Sequence, residues 1–107
     1  DVIWFDFKPI CEVPRGHHDY IDLSCEYHAV VISNIPALNK ERDDAARRFI
    51  NLVDEFYDRN VNLIISADQP LQTLYQGSKL AFEFERTKSR LIEMQTKEFL
   101  ARAHRSD

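Results

Sequence analysis

Four arginines carry the strongest hint of chemistry in this 107-residue chain. Arg86 and Arg90 stand four apart, which places them on one face if the stretch is helical. Arg47 and Arg48 fall near the start of a second helical stretch, where the helix dipole disfavours a cation. A guanidinium in such a place calls for an anion, and its planar fork suits a carboxylate or a phosphate. Local salt bridges to Asp44, Glu83 or Glu93 are the plain account. The sharper one is recognition of a phosphate or an acidic neighbour across an interface. A second group, Asp6, Asn34, Ser66 and Asp68, falls at the carboxyl ends of strand-like runs, where parallel sheets hold ligands in a polar crevice. Ser, Asn and Asp also favour such positions simply as turn formers.

What is missing narrows the chemistry further. Neither G-x-x-x-x-G-K-[ST] nor G-x-G-x-x-G occurs, and with only Gly16 and Gly77 the chain cannot build a phosphate cradle. Val53-Asp54-Glu55 imitates the acidic end of a magnesium-binding strand. The apolar residues around it repeat at helical spacing, however, so both acids read as a solvated helix face. His17 and His18 are adjacent in a loop, His28 and His104 lie elsewhere, and no metal-ligand spacing joins them to one another or to Cys11 and Cys25. His28, beside a strand, reads as a packed or hydrogen-bonded histidine. Ser24-Cys25 and Ser66 lack a nucleophile elbow. Two thiols and no secretion signal point to a reducing, cytosol-like compartment, although the sequence leaves a disulfide open. No stretch is long and apolar enough for a transmembrane segment.

A net charge of −4 and a pI near 5.5 argue against a dedicated nucleic-acid or anionic-membrane surface. Residues 79–107 hold seven Lys/Arg against five Asp/Glu, so the last part is mildly basic.

The elements that must position these residues follow from periodicity. Phe49, Leu52, Val53, Phe56 and Tyr57 mark one face of a helix opened by Asp43 and Asp44 and closed by Asn60, a residue that tolerates a left-handed C-cap. Val61, Leu63, Ile64 and Ile65 then form a short apolar run that reads as a strand covered on both faces. Val2 to Phe7 and Ala29 to Ser33 read as two further strands, the first ended by Pro9. Between them lie a loop with Pro14-Arg15-Gly16 as its turn and a helix from Tyr20 to Tyr27 capped by Asp19. Residues 70–75 read as a helical turn. The alternation of Leu80, Phe82 and Phe84 suggests a fourth short strand or an extended lead-in, and a long last helix runs from about Arg86 to Arg102. The expectation is a single α/β domain: a small parallel sheet of three or four strands with helices on its faces, ending in a long C-terminal helix. The chain does not begin with Met, and an apolar run starts at its second residue, so a piece of a longer protein is expected.

Three segments, DYIDLSCEYHAVVISNIPAL (19–38), ARRFINLVDEFYDRNVNLIISAD (46–68) and FEFERTKSRLIEMQTKEFL (82–100), resemble the C-terminal third of ZapE-type P-loop ATPases. These are bacterial cell-division ATPases, similar to AAA-type ATPases, with mitochondrial relatives called lactation-elevated ATPases. The resemblance implies that a phosphate loop, an acidic magnesium-binding strand and a first sensor lie upstream of Asp1, holding ATP and Mg2+. The chain itself would then neither bind nor hydrolyse ATP. It also implies a tie to the division-ring protein FtsZ at the inner membrane, or to mitochondrial protein quality control. A cytoplasmic protein, peripheral at that membrane and assembling with its own copies, is expected. The residues that carry over are Arg47 and Arg48 in the RRF match, and Arg86 and Arg90 in the RTKSRL match, as nucleotide-sensing or interface arginines. The alternative is a stand-alone adaptor domain that binds a protein partner without nucleotide chemistry.

Overall fold

The computed structural model describes residues 2–13 and 16–105; of the expected Pro14-Arg15-Gly16 turn, Pro14 and Arg15 lie outside this set. Strand β1 (Val2–Asp6) leads through a wide helical turn, Lys8–Glu12, to helix α1 (His17–Glu26). Strand β2 (Ala29–Ile35) follows, then a short 3-10 turn at Lys40–Arg42 and helix α2 (Asp43–Asp58). Strand β3 (Asn62–Ala67) leads to a single helical turn α3 (Leu71–Leu74), then helix α4 (Ala81–Glu93) and the short α5 (Lys97–Leu100). The three strands are parallel and lie side by side in chain order, β1-β2-β3.

α2 forms where the period placed it. Asp43 and Asp44 sit in its first turn, favourable to the dipole. Phe49, Leu52, Val53 and Phe56 are fully buried and pack on Val30, Ile32 and Leu63 of the sheet. Asn60 takes the left-handed conformation expected of it, φ 57°. The cap is different from the expectation: Asn39 caps the preceding 3-10 turn by accepting from the Glu41 N–H at 3.1 Å, so Asp43 is left for another task. In α1 the cap also moves. Asp19 is in the first turn rather than before it, and its carboxylate accepts from the Gly16 N–H at 3.0 Å.

Register separates the sheet into two unlike faces. Ile3, Val30 and Leu63 align, as do Phe5, Ile32 and Ile65, and this row faces the helices. The alternate row, Val2-Ala29-Asn62 and Trp4-Val31-Ile64, faces away. Val2, Trp4 and Ile64 are 65%, 70% and 56% exposed. The strands are therefore not covered on both faces as the apolar run suggested. Consecutive right-handed crossovers in one direction across a sheet put their helices on the same side. β2 runs past Ser33 through an irregularity in its pairing with β3, where Asn34 adopts φ 61°.

Two other expectations give way to helical period. There is no strand over residues 80–85. Alternation would have put Leu80, Phe82 and Phe84 on one face, but Phe84 is buried and Phe82 is 84% exposed. The buried set is Leu80, Phe84, Thr87, Leu91 and Met94, at spacings of three and four, which is one face of a helix. The long last helix is broken at Gln95–Thr96. Thr96 caps a new turn by accepting from the Phe99 N–H at 3.2 Å, which lets Phe99 stack on Tyr57 with ring centroids 5.7 Å apart. The tail is then tied back: the Asn60 side chain donates to the Ala103 carbonyl at 3.0 Å and the Arg105 N–H to the Arg59 carbonyl at 2.9 Å. The His104 ring nitrogen meets the Ser24 carbonyl at 2.6 Å.

Candidate functional site

Three of the four arginines, Arg47, Arg86 and Arg90, come together along the seam between α2 and α4, in two different conditions, while Arg48 reaches the Lys8–Glu12 turn. The helices run side by side in the same direction. Arg47 meets Glu83 at 3.7 Å near both N-termini, and Asp54 meets Arg86 and Arg90 further along. Arg90 is built in. Its guanidinium lies 2.5 Å from the Asp54 carboxylate and 4.8 Å over the Tyr57 ring. The Tyr57 hydroxyl in turn donates to Glu93 at 2.8 Å, and Arg102 reaches the same carboxylate at 3.3 Å. Arg48 is held as well, donating to the Cys11 carbonyl at 3.0 Å. Arg86 and Arg47 are looser. Arg86 approaches Asp54 only to 3.9 Å, with its side chain 52% exposed, and Arg47 is half exposed. Long, exposed pairs of this kind are held weakly and can exchange partners.

Asp54 is the residue that sequence reasoning missed. Helical spacing puts it on a solvated face, whereas in the fold it is half-buried and joins two helices. A signal was present: Ile50, Asp54 and Tyr57 stand at i, i+4 and i+7, a flank beside the main apolar stripe, and Arg47 is one turn before Ile50. That flank is where α4 packs. The expected partner set of Asp44, Glu83 and Glu93 is right only for Glu83, with Arg47.

Beside the loose end of the seam lies an open groove of about 270 Å³, lined by Asp43, Asp44, Arg47, Arg48, Asn51 and Lys79. Its charges are mixed. Asp43 is engaged, accepting from the Tyr75 hydroxyl at 2.8 Å, and that hydroxyl also accepts from the Leu80 N–H at 2.9 Å. Burial pushes the Tyr75 phenol above its ordinary pKa, and Asp43 raises it further while the Leu80 amide pulls it down. Gly77 is required here by close approach: a Cβ would lie 2.6 Å from the Tyr75 oxygen.

Of the carboxyl-end group, the structure joins Asp6 and Asn34. The Asn34 side chain donates to the Asp6 carboxylate at 2.8 Å and Ser33 does so at 3.0 Å, while the Trp4 indole donates to Ser33 at 2.8 Å. Ser66 and Asp68 are exposed, Ser66 on the same open face and Asp68 just past the end of β3. The sheet separates this group from the arginines, which stand on the helix side. Among the described residues no group of three or more His, Cys, Asp or Glu is placed to hold a metal. His18 and His28 are exposed, and Cys11 and Cys25 are thiols, the first buried and the second half-buried. No helix among the described residues is long and apolar enough to cross a membrane.

Comparison with known proteins places this geometry in context. Residues 1–103 match the sequence model of a family described as AFG1-like ATPase. The chain is 49% identical over 98 residues to the cell division protein ZapE of Escherichia coli K12, covering 92% of this chain and 26% of that protein. It is 32% identical over 132 aligned positions to lactation elevated protein 1 homolog B of Danio rerio, covering 94% of this chain and 26% of the relative. An uncharacterized protein of Schizosaccharomyces pombe is 39% identical over 75 residues, 70% of this chain and 16% of its own length. The chain thus spans about a quarter of the length of these two curated relatives. No solved structure matches it.

Proposed function

The chain belongs to the AFG1-like ATPase family, and from that premise we propose that it is the C-terminal α/β domain of a longer ATPase. In that protein an upstream phosphate loop holds ATP with Mg2+, and this domain supplies interface and nucleotide-sensing arginines. Cell division is the process we assign, with FtsZ as partner in a cytoplasmic protein peripheral to the inner membrane; membrane-associated protein quality control is the other branch. The observation that carries the reading is the match across residues 1–103, which includes both the RRF and RTKSRL segments.

We sort the four arginines for this role by how firmly each is held. An arginine that senses a γ-phosphate must be able to leave its resting partner. Arg86 and Arg47 satisfy that, with long contacts and half-exposed side chains. Arg90 and Arg48 are held by a close carboxylate and a backbone carbonyl, so we assign them to positioning α4 and α2. The test is Arg86→Ala in the longer protein. We expect unchanged melting with turnover lowered about tenfold or more, since an arginine on transferring phosphoryl charge is worth about a thousandfold in the strongest cases. Normal turnover in both Arg86→Ala and Arg47→Ala would remove the sensing role. The adaptor reading is kept because an open apolar sheet face is itself a surface for a protein partner; ATP turnover by the longer protein decides against it.

A further inference from the structure

We propose that Tyr75 is a positioning residue for Arg47: its hydroxyl holds the Asp43 carboxylate away from that guanidinium and so leaves it open to a phosphate. This rests on the reading of Arg47 as a nucleotide-sensing arginine. Asp43 and Arg47 stand four apart on α2, acid before base, the arrangement in which helical neighbours pair best. Both line the same groove, together with Lys79. In the fold they are turned to different partners. Asp43 accepts from the Tyr75 hydroxyl at 2.8 Å, and Arg47 reaches across the seam to Glu83 at 3.7 Å. A short, charge-assisted pair with Asp43 would occupy the guanidinium, whereas the long one with Glu83 leaves it half exposed.

Three features hold Tyr75 to this task. Its ring is stacked on Phe84 of α4, with centroids 5.3 Å apart, so the phenol cannot swing freely. Its oxygen accepts from the Leu80 N–H at 2.9 Å, which leaves the hydroxyl proton for Asp43. Gly77 provides the room: a Cβ there would stand 2.6 Å from the Tyr75 oxygen and 3.1 Å from the Asp43 carboxylate. A phenol also suits the task chemically. It is uncharged up to its ordinary pKa of about 10, so it occupies Asp43 without bringing a rival cation for the phosphate.

Two measurements test this. In the 107-residue chain, NMR reads solvent exchange of the Arg47 guanidinium protons. Tyr75→Phe frees Asp43, and we expect Arg47 exchange to slow severalfold as the pair forms. Gly77→Ala, which pushes the hydroxyl off Asp43 without removing it, should do the same. In the longer protein both substitutions should lower ATP turnover severalfold. Adding Asp43→Asn to Tyr75→Phe is the deciding step. It removes the charge that captures Arg47, and should return exchange and turnover toward the parent values while melting stays lowered. A merely structural tyrosine predicts no recovery, because the second substitution restores neither of the lost hydrogen bonds. Unchanged Arg47 exchange in Tyr75→Phe would overturn the proposal, and so would a fall in turnover that Asp43→Asn does not reverse. Exchange that slows and recovers with turnover steady throughout would sink the sensing role of Arg47 and leave the hold of Tyr75 on Asp43 standing.

Discussion

Asp54 holds Arg90 closely and Arg86 at arm's length, so one carboxylate sets two arginines apart. Arg90→Ala removes a charge-assisted hydrogen bond and a stacking contact on Tyr57, and should destabilise by about 1–2 kcal/mol in chemical denaturation. Arg86→Ala, losing an exposed contact, should cost under about 1 kcal/mol. A larger loss for Arg86 would reverse the assignment of the two roles. Tyr75 makes a prediction in pH. Its phenol has a raised pKa in the fold, so the folded state keeps its proton where the unfolded chain releases it. The stability is fully present below the ordinary tyrosine pKa of about 10 and falls as pH rises past it. Tyr75→Phe should flatten that part of the alkaline unfolding profile, at the expense of the bonds to Asp43 and Leu80. An unchanged slope would place the alkaline loss elsewhere.

At the scale of elements, α4 offers the sharpest check, because two phenylalanines two residues apart should behave oppositely. Phe84→Ala opens the core between Phe49 and Tyr75, whose rings stack on it at 6.4 and 5.3 Å, and should cost about 3–5 kcal/mol. Phe82→Ala, on the outer face, should stay within about half a kcal/mol. Similar losses at both would restore the strand that alternation suggested. The same segment shows what was legible and why. α2 could be read because its apolar residues are numerous and its caps strong. Leu80-Ala81-Phe82-Glu83-Phe84 satisfies period two over five residues, too few to reveal a helical period that shows only when Thr87, Leu91 and Met94 are included. The break at Thr96 was invisible because the pull toward Tyr57 is tertiary. The arginines themselves were found by type and spacing, but their partner Asp54 depends on how two helices dock, which no local pattern states.

At the scale of the whole molecule, the absence of a glycine cradle predicts that calorimetry of this chain with Mg-ATP gives no binding signal in the micromolar range; a measurable constant there would require a site that no sequence motif announces. The tail bears on something else, the order in which the structure is made. The strands pair in chain order, so the sheet can assemble stepwise as the polypeptide emerges from the ribosome. The contact between Ser24 and His104 spans 80 positions and must wait until almost the entire stretch is out. Contacts that close such long loops form late. Among the contacts of this stretch, the one between Ser24 and His104 should therefore close late and open early. Amide exchange at Arg105, whose N–H is tied to Arg59, should outpace that of β2, and a protease that clips the tail should leave the sheet intact.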